Sequence, residues 1–173
     1  FREFTVNETW LLVPSRKVMD IESLLLKINS GKTLQKQEIE EVAALMAWIR
    51  EDPGVAEKIS VDDVYAMLLV LGRVKIPEHR HLLEGSLDLK DALTVSLVLE
   101  ILCLEWQCTA EYLERVLNFA LGAAWDKEED VRHVAFKILG EHMFRVLAPE
   151  GKATKRKDPG AKEIRVVELL LNV

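Results

Sequence analysis

The sequence predicts an all-α fold: a short α-solenoid of antiparallel helix pairs with capping segments at the N- and C-terminal ends. Three observations carry this expectation. Turn residues are scarce, with 8 glycines and 5 prolines in 173 residues, fewer than a β-rich domain of this length needs. Apolar residues recur at helical spacing between start and stop signals. A stretch beginning at Ser96 repeats its pattern 37 residues later.

The hydrophobic fraction, 49%, with 30% charged residues, is enough for a packed core and fits one domain. Formal net charge is −6, unevenly spread. Residues 148–173 hold six Lys/Arg against four Asp/Glu, so the body, 1–147, carries −8. An acidic body repels phosphate backbones, and nucleic acid is not an expected partner. Cys103 and Cys108 lie five apart among apolar neighbours, which is not the spacing of a metal knuckle or a redox pair. They read as reduced core residues, which points to a cytoplasmic setting. No apolar run reaches the roughly 18–20 residues that span a bilayer, so no membrane association is expected.

The elements follow in order. Residues 1–17 are apolar but unperiodic and read as an extended lead-in. A first helix fits 18–29, with Gly31 as a left-handed cap. Thr33 is the expected cap of a second helix, 34–51, stopped by Asp52-Pro53-Gly54. Ser60 caps a third, 61–72, with Asp63 in its first turn and Gly72 at its end. Pro77 opens a fourth, 77–84, closed by Gly85. Asp88 caps a fifth, 89–106, and Thr109 a sixth, 110–124. Asp126 with Glu129 forms a capping-box-like start for a seventh, 127–147. Residues 150–162 read as a solvated basic loop, and 163–171 as a short segment for which helix and strand both stay open. The expected organisation is one domain over 1–173: a lead-in and capping helix over 1–33, about three helix-pair repeats over 34–147, and a basic loop with a capping segment over 148–173.

At a shift of 37 residues, Ser96-Leu97-Val98-Leu99-Glu100-Ile101-Leu102 falls on His133-Val134-Ala135-Phe136-Lys137-Ile138-Leu139. Apolar meets apolar at five of the seven positions, and polar meets polar at the others. Each unit is a helix pair: 34–72, 77–106 and 110–147. Within the last, Asp126-Lys-Glu-Glu-Asp-Val131-Arg132-His-Val-Ala135-Phe-Lys-Ile-Leu139 resembles the second helix of a HEAT repeat. The resemblance to HEAT/armadillo-like helical repeat proteins implies that Asp126 and Arg132 belong to a ladder between repeats. It also implies that Val131 and Ala135 pack inside. The second unit has Asp88, Leu93 and Thr94 where the pattern wants Asp, Val and Arg, so its ladder arginine is missing.

Chemistry-bearing motifs are sparse. His79 and His81 stand two apart, on opposite sides of a helix, and so do not share a metal. Glu78-His79 and Glu141-His142 reverse the His-Glu order used by a di-iron hydroxylase family built on HEAT repeats. Ser30-Gly31-Lys32-Thr33 lacks the preceding glycine and strand of a phosphate loop, and no Gly-x-Ser-x-Gly elbow is present. No cofactor, metal or catalytic residue is expected. Lys155-Arg156-Lys157 reads as a solvated loop, and Trp48, Trp106 and Trp125 as packing at helix ends.

The expected function is a non-enzymatic protein-binding scaffold that works through the second helix of each pair. Helical spacing puts Lys90, Asp91, Thr94 and Glu105 of the fifth helix, and Glu129, Arg132, Lys137, Glu141 and Arg145 of the seventh, toward solvent. The partner expected is another protein. An acidic inhibitor or immunity-type protein that neutralises a basic partner is the alternative, and an enzyme on the same scaffold a remote one.

Overall fold

The computed structural model describes residues 20–52, 54, 59–89, 91–122, 129–147 and 161–171. Among them the chain forms eight α-helices and no strand. These are α1 (Ile21–Asn29), α2 (Lys36–Glu51), α3 (Val61–Val74), α4 (Arg80–Ser86), α5 (Ala92–Leu99), α6 (Thr109–Ala120), α7 (Glu129–Leu147) and α8 (Ala161–Leu171). A 3₁₀ turn at Pro77–His79 leads into α4, and a π-helical segment, Glu100–Glu105, extends α5. The terminal segment left open between helix and strand is thus helix.

Local signals explain most boundaries. Asp20 Oδ1 accepts the Ser23 amide at 3.0 Å and starts α1. Gly31, at φ +75°, ends it: its amide donates to Ile28 O, and Lys32 N donates to Lys27 O, both at 2.9 Å. These are the paired reverse bonds of a Schellman cap. Ser60 Oγ accepts the Asp63 amide at 3.0 Å and starts α3.

Other boundaries differ from expectation, each for a physical reason. Gln35, not Thr33, caps α2: Glu38 reaches back to the Gln35 amide at 2.8 Å, and buried Leu34 and Ile39 occupy the staple positions on either side. Gly72 does not end α3. The helix runs on to Val74 and stops at Lys75, in the left-handed region at φ 52°. Gly72 is there because Ile101 packs onto it; a Cβ would lie 2.8 Å from the Ile101 side chain. Gly85 likewise lies inside α4, beneath the Arg50 guanidinium.

Asp91 caps α5 by accepting the Thr94 amide at 2.8 Å, while the expected cap, Asp88, pairs instead with Arg115 of α6. Thr109 does not cap α6 with its hydroxyl, which donates to Cys103 O at 2.8 Å; α6 then ends at Ala120, ahead of the expected residue 124, with Gly122 at φ 69° in the turn that follows. Trp10, Asp126, Trp125 and the cluster Lys155-Arg156-Lys157 lie outside the described residues.

Helix α5 is the centre of the packing. It touches α3, α4 and α7, and Val95, Val98, Leu99, Ile101, Leu102 and Cys103 are fully buried. Helix α1 covers α3 at one end, and α8 covers α6 and α7 at the other. Helix α2 packs on α3, and α6 on α7. The expected core of α7 is in place: Val131, Ala135, Ile138 and Leu139 are buried, while Val134 is half-buried. None of the described helices is long and apolar enough to cross a membrane.

Candidate interaction face

Helices α3, α5 and α7 lie side by side, and four contacts set the register of the first two. Ile101 sits on Gly72, the Trp106 indole Nε1 donates to Gly72 O at 2.8 Å, Lys75 Nζ donates to Glu105 O, and Arg73 Nε lies 3.9 Å from Glu105 Oε2. The four join residues about 31 positions apart, at the C-terminal end of α3 and in or just past the segment that extends α5. The indole and ammonium also satisfy carbonyls that helix ends leave without intrahelical partners. Between α5 and α7, Lys137 Nζ donates to Glu100 Oε1 at 2.8 Å. The Glu100 carboxylate holds the Lys137 ammonium above its ordinary pKa.

The predicted site residues divide. Lys137 and Arg145 are exposed as expected, and Glu141, half-buried, pairs with Arg145 at 3.5 Å. Arg132 is exposed and lies over the Gly122 turn; its expected ladder partner, Asp126, is outside the described residues. Glu129 opens α7, with its side chain outside the described set, as is Lys90. Asp91 is half-buried, occupied in capping α5. Glu105 is half-buried beside Arg73.

Thr94 is a correction: it is buried, not solvent-facing. The α5 helix is enclosed on several sides, so a position that would be open on a peripheral amphipathic helix is covered here. What α5 leaves exposed is Leu93, in a row with half-buried Ser96, Glu100 and Leu104; on α7 the row continues with exposed His133, Lys137 and Phe144 and half-buried Glu141. Sequence reasoning missed Glu100, Leu93 and Phe144. The 37-residue repeat was the available signal for Glu100, because it superposes Glu100 on Lys137.

A second polar cluster links α4 and α6 on another side. Arg80 Nη2 donates to Glu111 at 2.7 Å, and Arg80 Nε to the Tyr112 hydroxyl at 2.7 Å and Glu84 at 3.1 Å. The guanidinium carbon also lies 5.0 Å from the Tyr112 ring centroid. Hydrogen bonding to Glu111 raises the Arg80 pKa further, and the guanidinium in turn lowers that of Glu111. Burial, with Glu84 accepting from the hydroxyl, raises that of Tyr112. Every charge in this cluster has a partner, as suits a tie between helices.

Both cysteines are free thiols. Burial pushes Cys103 up to about 12 and raises Cys108, so both stay protonated near neutral pH, where a nucleophilic thiol has to ionise. His79 Nε2 lies 3.7 Å from Glu40 Oε1, and His81 Nδ1 lies 2.9 Å from Glu78 O. Among the described residues no three His, Cys, Asp or Glu side chains converge as metal ligands. Open hollows occur among the described residues. One of about 380 Å³ is lined by Asp130, Arg132, His133 and Phe136, and one of about 220 Å³ lies between α6 and α8 at Leu117, Leu121 and Leu169.

Comparison of the chain with protein-family models, curated proteins and solved structures gave no match.

Proposed function

We propose that the chain is a short HEAT-like solenoid and that it works as a protein-binding scaffold through the open sides of α3, α5 and α7. The observation that carries this reading is the Glu100–Lys137 pair, which joins like positions of consecutive second helices. With the α3–α5 register, it supports three helix pairs stacked in one direction, with α1 and α8 as end caps. A stack of this kind presents its second helices as one continuous surface. Here that surface carries exposed Tyr65, Leu93 and Phe144, large side chains of the sort that anchor protein interfaces.

Charge on the middle of this surface is largely spent internally. Glu105 faces Arg73, Glu100 faces Lys137, and Glu141 faces Arg145. Apolar anchors, rather than a general acidic field, therefore carry binding there.

The test is site-specific photo-crosslinking in the native host, with the photoreactive residue replacing Leu93 or Phe144 on the face, or Asn118 on the exposed side of α6. Discrete adducts from the face positions and none from Asn118 are expected. Adducts from Asn118 alone would place the working surface on the opposite side.

A further inference from the structure

The α3–α5 register extends from the C-terminal ends, where contacts fix it, to the N-terminal ends. Carried on at the same offset of about 31, it aligns Asp62 with Leu93 and Tyr65 with Ser96 in sequence. Four apolar side chains at this end stand open to solvent: Val61 at 60%, Tyr65 at 37%, Leu89 at 44% and Leu93 at 60%. Carboxylates border them. Asp62 and Asp63 lie in the first turn of α3, and Asp130 in the first turn of α7. Asp62 and Asp130 are exposed and have no ion-pair partner among the described residues, unlike the acids in the middle of the face. No Lys or Arg lies among the described residues of 59–65 or 89–94, with Lys90 outside them; on α7 the exposed Arg132 lines one hollow with Asp130.

We propose that this end of the face seats a basic amphipathic helix of a partner protein, its apolar stripe on Tyr65 and Leu93 and its Lys/Arg flanks against Asp62 and Asp130. The proposal rests on the scaffold reading above and narrows it to one kind of partner. Three chemical facts select this occupant. An apolar patch needs an apolar stripe, which a helix supplies at i, i+3/i+4 and i+7. Unpaired carboxylates around the patch favour cations on the flanks and repel phosphate, which argues against nucleic acid and anionic lipid surfaces. A second copy of the chain would bring the same carboxylates against themselves in a symmetric contact.

The test uses the full chain and two labelled model peptides, both with leucine at helical spacing, one with lysine and one with glutamate at the remaining positions. The lysine peptide is expected to bind, and to weaken as salt rises through the range where exposed charges are screened. Leu93→Glu and the double change Asp62→Lys/Asp130→Lys are each expected to weaken it at least about tenfold, by loss of the anchor and reversal of the flanks. Asp62→Asn/Asp130→Asn, which spares the helix starts a lysine, is expected to weaken it by a smaller factor in the same direction. Glu22→Lys/Glu51→Lys changes net charge equally on exposed positions of α1 and α2 and is expected to leave affinity within about threefold, since those sites lie off the patch.

Equal weakening by the Glu22/Glu51 control would show attraction to net charge alone and overturn the site. Equal binding of the glutamate peptide, or no effect of Leu93→Glu, would overturn it as well. So would a dimer of the unmodified chain in light scattering that Leu93→Glu dissociates, because the second copy would then own the patch. If the lysine peptide fails while crosslinks from Phe144 persist, the basic-helix partner is wrong and the scaffold reading stands.

Discussion

Lys137 Nζ donates to Glu100 Oε1 at 2.8 Å, and the two residues stand 37 positions apart, the interval at which the sequence repeats. The contact in space thus joins positions that the sequence pattern superposes, which is what the proposed stacking of helix pairs requires. Both side chains are more than a third exposed, so the pair is worth little in stability: about 0.2–1 kcal/mol in a double-mutant cycle, shrinking with salt. Exchanging the charges, Glu100→Lys with Lys137→Glu, is expected to recover most of what either single reversal loses. No recovery would mean that α5 and α7 do not meet at these positions.

Gly72 and Gly85 make a matched pair of glycine tests. Gly72→Ala sets a Cβ 2.8 Å from Ile101, itself fully buried between helices, and is expected to cost about 1–3 kcal/mol by overpacking. Gly85→Ala meets only the mobile end of Arg50, which is exposed and can swing away, giving up its bond to His81 O. The gain in helix propensity, roughly 1 kcal/mol, offsets that loss. Urea midpoints should fall clearly for Gly72→Ala and stay nearly level for Gly85→Ala; the reverse order would contradict the placement of α3 against α5.

Gln107 holds a left-handed backbone, φ 59°, just past the π segment. A side chain there costs on the order of 1 kcal/mol, which glycine avoids at the expense of a freer unfolded chain. Gln107→Gly is expected to raise the melting temperature slightly, and a clear drop would argue against the left-handed turn.

Ile138 is fully buried, and Ile138→Ala is expected to destabilise by about 2–4 kcal/mol. A loss below about 1 kcal/mol in denaturant titration would place this face of α7 outside the core.

Acid stability should report the ties between helices. Arg80 holds Glu111 below the ordinary carboxylate pKa, and Lys27, with the Gln35 amide, does the same for Glu38. A depressed folded-state pKa contributes stability that is present above the unfolded value and lost as pH falls through the folded one. Stability is therefore expected to decline as pH drops below about 4–5, the unfolded carboxylate range. In Glu111→Gln the decline should be shallower; an unchanged slope would remove Arg80–Glu111 from the account.

Sequence by itself determined the helices and several of their ends, because those signals act within one turn of backbone. Asp20 and Ser60 accept amides three residues on, and Gly31 takes the left-handed turn other residues resist. It also determined the buried side of α7, where Val131, Ala135 and Ile138 recur at helical spacing. Tertiary structure alone decided the rest. Gly72 reads locally as a stop, yet it is the seat of Ile101, a residue 29 positions away. Thr94 reads as open, yet α5 is enclosed by its neighbours and buries it. Glu105 and Asp62 look alike in sequence, but among the described residues only the first has a cation, Arg73, as an ion-pair partner. Periodicity records which side of a helix is apolar; how much of that helix is covered, and which charges remain free, depends on neighbours that the chain brings together only when it folds.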